Sequence, residues 1–441
     1  MPTTMERTPV TRRLSRALVA SVITAATLTP ACRDDAASSA DPFPYSPWTA
    51  TGPEVRIGAV EGDPDHVFGP VMGLEPGPDG LIYSRHAGEG TIRRWTADGR
   101  AAGTVGRAGE GPGEFEMLGY IGFFGDTLWA WDYGPYRASY FNLDGEFLGS
   151  VSPPFDFGSP EGIPPRPTRP FRDGTFLGGA PIHAHLVATG KLTESPVVRM
   201  DAEGNTLTLL WMHPVETRDQ LSLMNDDGFG GMFGSQPFHD AVTYTVFEDG
   251  LIVVERRAWT GEGEPVVTLT RIDLAGDTVF QRRIPYTPVP LPAERVDSAI
   301  RAITDAWHRP GSGDSKGALE ARIREATYKP SYLAAVGGVS VREDGNIWLR
   351  RYSPVESDTG ERFNEWWILT IDGDPMGRAR LPIGLRVMHV DEEVIWGTVR
   401  DDLDVDYIVR YRLVKGGADS RETGMAPAAP QTGLRCTAAK T

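Results

Sequence analysis

One short unit recurs six times along the 441-residue chain. It is a turn built on Asp and Gly, a strand-prone run, a loop, a second strand-prone run and another Asp-Gly or Asp-x-x-Gly turn. The copies open near Asp79, Asp126, Asp173, Asp249, Asp344 and Asp391. Their second runs begin at Ile92, Tyr140, Val197, Leu269, Trp366 and Tyr407. The runs are rich in β-branched and aromatic residues, which suit a pleated, half-buried surface. Asp-Gly is a strong hairpin signal, because a type I′ turn needs positive φ. Each copy leaves room for one strand before its first turn and one after its second. The expected unit is therefore a four-stranded antiparallel sheet, and such a repeat constrains the whole fold.

Composition agrees. The chain holds 51 Gly and 36 Pro alongside 11 Trp, 13 Tyr and 17 Phe. That excludes a helix bundle, and the aromatic load excludes a disordered chain. Six four-stranded antiparallel blades predict an all-β, six-bladed β-propeller over residues 54–415. The sixth unit lacks an outer strand, because the chain turns Gly-rich after Lys415. The orphan strand at 54–58 is expected to complete it and so remove an exposed edge. Residues 106–115, Gly-Arg-Ala-Gly-Glu-Gly-Pro-Gly-Glu-Phe, resemble the glycine-rich linker of NHL-type propellers. The whole pattern is similar to the six-bladed propeller lipoproteins of environmental bacteria. That resemblance implies the fold and leaves the activity open.

The N-terminus reads as an address. Arg7, Arg12, Arg13 and Arg16 precede an uncharged apolar run at 17–28, a secretory signal pattern too short to span a bilayer. The run ends Leu28-Thr29-Pro30-Ala31-Cys32, which resembles a bacterial lipobox with its Leu one residue early. Residues 1–31 are the expected signal peptide and Cys32 the expected lipidation site. Residues 32–53 would form the lipidated Cys and a flexible tether, and 416–441 a disordered tail that carries the other cysteine, Cys436. Ordinary signal cleavage near Ala31 is the alternative. The expected location is the bacterial cell envelope, periplasmic or outer face, with the membrane as a partner through the lipid.

The long segments, 178–196, 213–240, 256–265, 285–332 and 350–365, fall in loops at one end of the blades, where function tends to sit. Within the longest, Val296, Ile300, Ile303 and Trp307 mark an amphipathic stripe. A helical hairpin at about 292–328 is expected between blades four and five, either capping the channel or packing on neighbouring loops.

The net charge of −16 argues against a nucleic-acid partner. Against that acidity, Arg85, Arg256, Arg257, Arg350, Arg351 and Arg400 gather at the ends of the second strands. They suggest an anion-binding site at the channel mouth, or pairing with carboxylates such as Glu89, Glu255 and Glu361. Histidines favour the same end. His183 and His185 share one face if extended. With His86 or His239 they could hold a divalent metal in the channel with an open position, as the amidating-lyase propellers that this fold resembles do. The chain carries no Walker loop and no Gly-x-Ser-x-Gly elbow. The expected function is a ligand- or protein-binding module, its partner an unknown small ligand or an envelope protein. The alternatives are a metal-dependent hydrolase, lactonase or lyase, and an envelope scaffold.

Overall fold

The computed structural model describes residues 43, 47–155, 164–224, 231–247, 249–309, 315–342, 345–352, 354–356, 362–391 and 393–415. The signal peptide at 1–31, Cys32 and the tail at 416–441 with Cys436 lie outside them. The chain divides into residues 1–38 and 39–441, and everything described belongs to the second unit.

Four four-stranded antiparallel sheets follow in chain order. Each begins with one of the strands Val71–Pro76, Leu118–Phe124, Arg166–Pro170 and Thr243–Phe247. The arrangement is propeller-like, because first strands of different sheets pack together. Val71–Pro76 touches Leu118–Phe124 and Arg386–Val390, and Thr243–Phe247 touches Val336–Val341. The expected count of six separate blades is not found. The strands after Val336 join one nine-stranded sheet instead.

The cause is the strand Pro47–Ile57, which starts well before the expected Glu54. It pairs antiparallel with Asp406–Lys415 along most of its length, from Trp48 opposite Lys415 to Ile57 opposite Ile408, with an irregularity between Thr51 and Val55. That is the partner expected for the orphan strand at 54–58. Its first half also pairs in parallel with Pro375–Pro382, from Pro47 opposite Arg378 to Thr49 opposite Arg380. The Pro-rich segment expected to be a tether therefore bridges the strands between Val336 and Pro382 and the three strands from Arg386 to Lys415. Ahead of it Phe43 is buried and stacks on Trp367 at 4.9 Å between ring centroids.

The turns depart from type I′ in a uniform way. Gly80, Gly99, Gly145 and Gly174 have positive φ, but the Asp before each does not. Each glycine N–H bonds back three residues, as Gly80 to the Gly77 carbonyl and Gly99 to the Thr96 carbonyl. These are type I turns whose last residue takes the left-handed region, so glycine is needed at one position.

Three helices are described: α1 at Ala184–Ala188, α2 at Ala293–Trp307 and α3 at Lys316–Ala326. Pro292 stands at the N-cap of α2, and Ser315 caps α3 by accepting the Ala318 N–H. The apolar stripe of α2 joins Leu319 and Ile323 of α3 over Leu221 and Leu223. The helices thus pack on the hairpin of Gln220–Met224 and Gly231–Ser235, so two of the long connections cover each other.

Ile57 is fully buried among Val71, Leu74, Ile82, Trp95, Trp396 and Ile408, the seam between the first sheet and the last strands. We expect Ile57→Ala to cost about 2–5 kcal/mol through lost contacts and a residual cavity. Val414→Ala, on the partner strand but 40% exposed, should stay within about 0.5 kcal/mol. Equilibrium urea unfolding measures both.

Candidate functional site

Where the first strands meet, a cavity of about 200 Å³ opens. Met72, Leu74 and Glu75 line it from Val71–Pro76, Tyr120 and Ile121 from Leu118–Phe124, and Met388 from Arg386–Val390. Arg85 also lines it, although it belongs to the second strand, Ile82–His86. Its reach depends on Gly73, which stands opposite it at an irregularity in the ladder. A Cβ on Gly73 would lie 2.7 Å from Arg85 Nε, so only glycine leaves the path open. The device recurs. A Cβ on Gly119 would lie 2.4 Å from the Tyr133 ring, and Gly338 stands opposite Arg350 at a similar irregularity.

Arg85 and Tyr120 on the cavity wall stand within electrostatic reach of further cationic and phenolic groups. The Arg85 guanidinium lies 5.7 Å from the centroid of Tyr120, and Tyr120 and Tyr133 meet edge to face at 6.1 Å. Burial pushes Arg85 below the ordinary arginine range, against the pull of Tyr120, Tyr133 and Glu75. Arg169 is shifted down by burial as well, with Glu75, Tyr120 and Tyr133 again the opposing neighbours. Arg169 Nε is buried with no hydrogen-bond partner among the described residues, and its guanidinium lies over the Trp129 ring at 5.2 Å. Arg386 donates to the Val71 carbonyl, and its charge reaches Arg85. Both guanidiniums remain protonated, because arginine does not lose its proton in a protein. The sequence reading missed Arg169, Arg386 and Tyr120. Glycines inside the strand-prone first runs were the available signal, since an interior glycine marks a close approach.

The six expected arginines do not converge. Arg256 is buried, donates to the Ala241 and Val336 carbonyls at 2.8 and 3.0 Å, and so ties two sheets together. Arg257 meets Glu216 at 2.8 Å, Asp240 at 3.1 Å and Asp219. Its burial acts downward, but the carboxylates win and raise its pKa. Arg351 pairs with buried Glu365 at 3.1 Å, a carboxylate shared with Arg378 and Arg380. Arg400 pairs with Asp406 at 2.8 Å. Arg350 is exposed, and its charge is felt by His239, Arg256 and Tyr352. Of the six, only Arg85 lines the central cavity. The pairing carboxylates also differ from those expected: Glu89 holds Arg93 at 2.8 Å, and Glu361 lies outside the described residues.

The histidines do not assemble a metal site. His183 is the N-cap of α1 and His185 lies within it, so the extended geometry that would align them is absent. Their ring centroids are 6.1 Å apart. His239 stands 3.2 Å from the Gln236 carbonyl and against the Tyr352 ring. His86 is 3% exposed, with Nε2 at 2.8 Å from Ser84 Oγ and Nδ1 at 3.3 Å from the Gly69 carbonyl. Ser84 Oγ also accepts the Trp95 Nε1–H at 2.8 Å. The Ser84–His86 pair is thus a satisfied core network. Among the described residues no group of three or more His, Cys, Asp or Glu side chains could hold a metal ion.

No family model and no curated protein matches the sequence. Solved structures with a similar chain path include a Bacteroides fragilis protein labelled as exported. It has 11% identity over 85% of this chain and 97% of that one, with a TM-score of 0.41. Virginiamycin B lyase from Staphylococcus aureus has 12% identity over 81% and 98%, with a TM-score of 0.34. The calcium-binding protein regucalcin from Agrobacterium tumefaciens has 11% identity over 84% and 96%, with a TM-score of 0.32.

Burial first, and then the nearby Arg93, hold the His86 pKa down to about 4 from 6.5, against the pull of Glu89 and Asp406. As pH falls, the unfolded chain takes up this proton first. The stabilisation from neutral His86 is thus complete above pH 6.5 and is lost as pH falls toward about 4. An NMR titration of the His86 ring should show its midpoint near 4; a midpoint near 6.5 would contradict the buried network.

Proposed function

We propose that this chain is an exported, lipid-anchored, six-bladed β-propeller that binds a small anionic ligand in its central cavity. The blade count rests on reading the nine-stranded sheet as two blades. One runs from Val336 to Pro382, and the other joins the strands from Arg386 to Lys415 with Pro47–Ile57. The parallel contact of Pro47–Thr49 with Arg378–Arg380 bridges them.

The observation that carries the ligand reading is a pair of partly buried guanidiniums, Arg85 on the cavity wall and Arg169 beyond its lining. Arg85 and Arg169 both feel Glu75, Tyr120 and Tyr133, and burial penalises the charge of each. An incoming carboxylate or phosphate would offset that penalty with charge-assisted bonds, and Tyr120 can donate a further hydroxyl. The ring faces of Tyr120 and Trp129 already hold the guanidiniums in place, which lowers the ordering cost of binding. Isothermal titration with inorganic phosphate, sulfate and succinate tests this. At least one should bind, more weakly as salt rises. Arg85→Ala or Arg169→Ala should cut the affinity tenfold or more, about 1.4 kcal/mol, while Arg400→Ala leaves it unchanged. Equal affinity in all three variants would overturn the reading.

The lipid anchor rests on Cys32 at the end of the apolar run. No described helix is long and apolar enough to cross a membrane, so retention would depend on the modified cysteine. We expect Cys32→Ser to move the protein from the membrane to the soluble fraction of its host. Unchanged membrane retention would remove the anchor from the proposal.

A further inference from the structure

The cavity that holds Arg85 offers more than a charge. Met72, Leu74, Ile121 and Met388 make much of its wall apolar. Leu74 and Ile121 are buried, each in a different hydrophobic cluster, and Met388 packs against the cluster that holds Leu74. Two further lining side chains are large and left to water: Met72 is 48% exposed and Tyr120 46%. Such exposure is ordinary for a side chain standing alone. Two of them on the wall of a concavity that also holds a guanidinium mark a surface shaped for a ligand.

Size and charge narrow its chemistry. A volume of about 200 Å³ lies below the roughly 300 Å³ at which pockets for drug-sized molecules begin, so the occupant is a short chain or one small ring. An inorganic anion would satisfy Arg85 and leave Met72 and Met388 uncovered. A hydrocarbon would cover the methionines and give the guanidinium nothing. A second anionic group would lose its water against Met388 and Ile121 and share the cavity with Glu75. Methionine is unbranched and polarisable, so its side chain moulds to an apolar body. Tyr120 serves both ends, since its ring lies 5.7 Å from the Arg85 guanidinium and is still open to solvent.

We propose that the ligand of this cavity is a small monocarboxylate with an apolar body, its carboxylate on Arg85 and its chain or ring against Met72, Tyr120 and Met388. This rests on the anion reading of the same cavity and adds the chemistry of the rest of the molecule.

NMR titration of the protein with isotope-labelled methionine methyl groups tests it, using acetate, hexanoate, adipate and hexan-1-ol. Hexanoate should bind roughly tenfold more tightly than acetate or better, since one fully buried methylene is worth about fourfold. It should also shift the Met72 and Met388 methyl signals. Adipate and hexan-1-ol should each bind more weakly than hexanoate, by roughly threefold or more. Met72→Gln removes the apolarity at a half-exposed position, where the fold is not at risk. It should weaken hexanoate at least about threefold more than acetate. Arg85→Ala should weaken both alkanoates alike. Equal affinity for acetate and hexanoate, both weakened by Arg85→Ala, would overturn the apolar body and leave the anion site standing. Equal affinity for hexanoate and hexan-1-ol, unmoved by Arg85→Ala, would overturn the anion reading and this inference with it. Hexanoate binding that leaves both methyl signals in place lies elsewhere on the molecule, and would overturn the inference as well.

Discussion

The pairing of Pro47–Ile57 with Asp406–Lys415 is the contact on which the rest of the structure depends. Without it the last three strands would present an unpaired edge, and the seam that buries Ile57, Trp95 and Trp396 would lose one wall. Glu54 reinforces the contact by accepting from Arg412 Nε at 2.7 Å. Because the same strand runs on in parallel along Pro375–Pro382, one segment sets the spacing of two groups of strands. The propeller-like order of the first strands, and so the central cavity, follows from that spacing.

Within this frame the cavity is shaped by what the first strands omit. Gly73 and Gly119 carry no side chain where Arg85 and Tyr133 need to pass. A first strand is otherwise a wall between the second strand and the cavity. Glycine opens it at a cost in chain entropy, and the rigid neighbouring sheet keeps the opening in register. The guanidinium then rests on an aromatic face. Cation–π contact of this kind holds a charge in place without neutralising it.

Much of the fold is legible in the sequence, because the repeat acts locally. The Asp-Gly turns locate the strand pairs, the orphan run at 54–58 finds its partner, and the stripe from Val296 to Trp307 marks α2. What escapes depends on pairing across distance. The Pro-rich start of Pro47–Ile57 lacks alternation, and only its partner Pro375–Pro382 makes it a strand. Arg257 looks free until Asp219, 38 positions away, is brought beside it. His183 and His185 sit on too short a helix for a 3.6-residue period to register. Arg169 follows a Pro-rich stretch with no strand signature, and nothing local says that it faces Glu75.

Closing the structure with its first strand also imposes an order on its synthesis. Thr51 Oγ1 donates to the Arg412 carbonyl, a partner 361 positions later. At roughly 5–20 residues per second, a ribosome needs about 20–70 seconds to deliver it. For that interval the opening strand has no partner, and its row of amides can template a foreign strand.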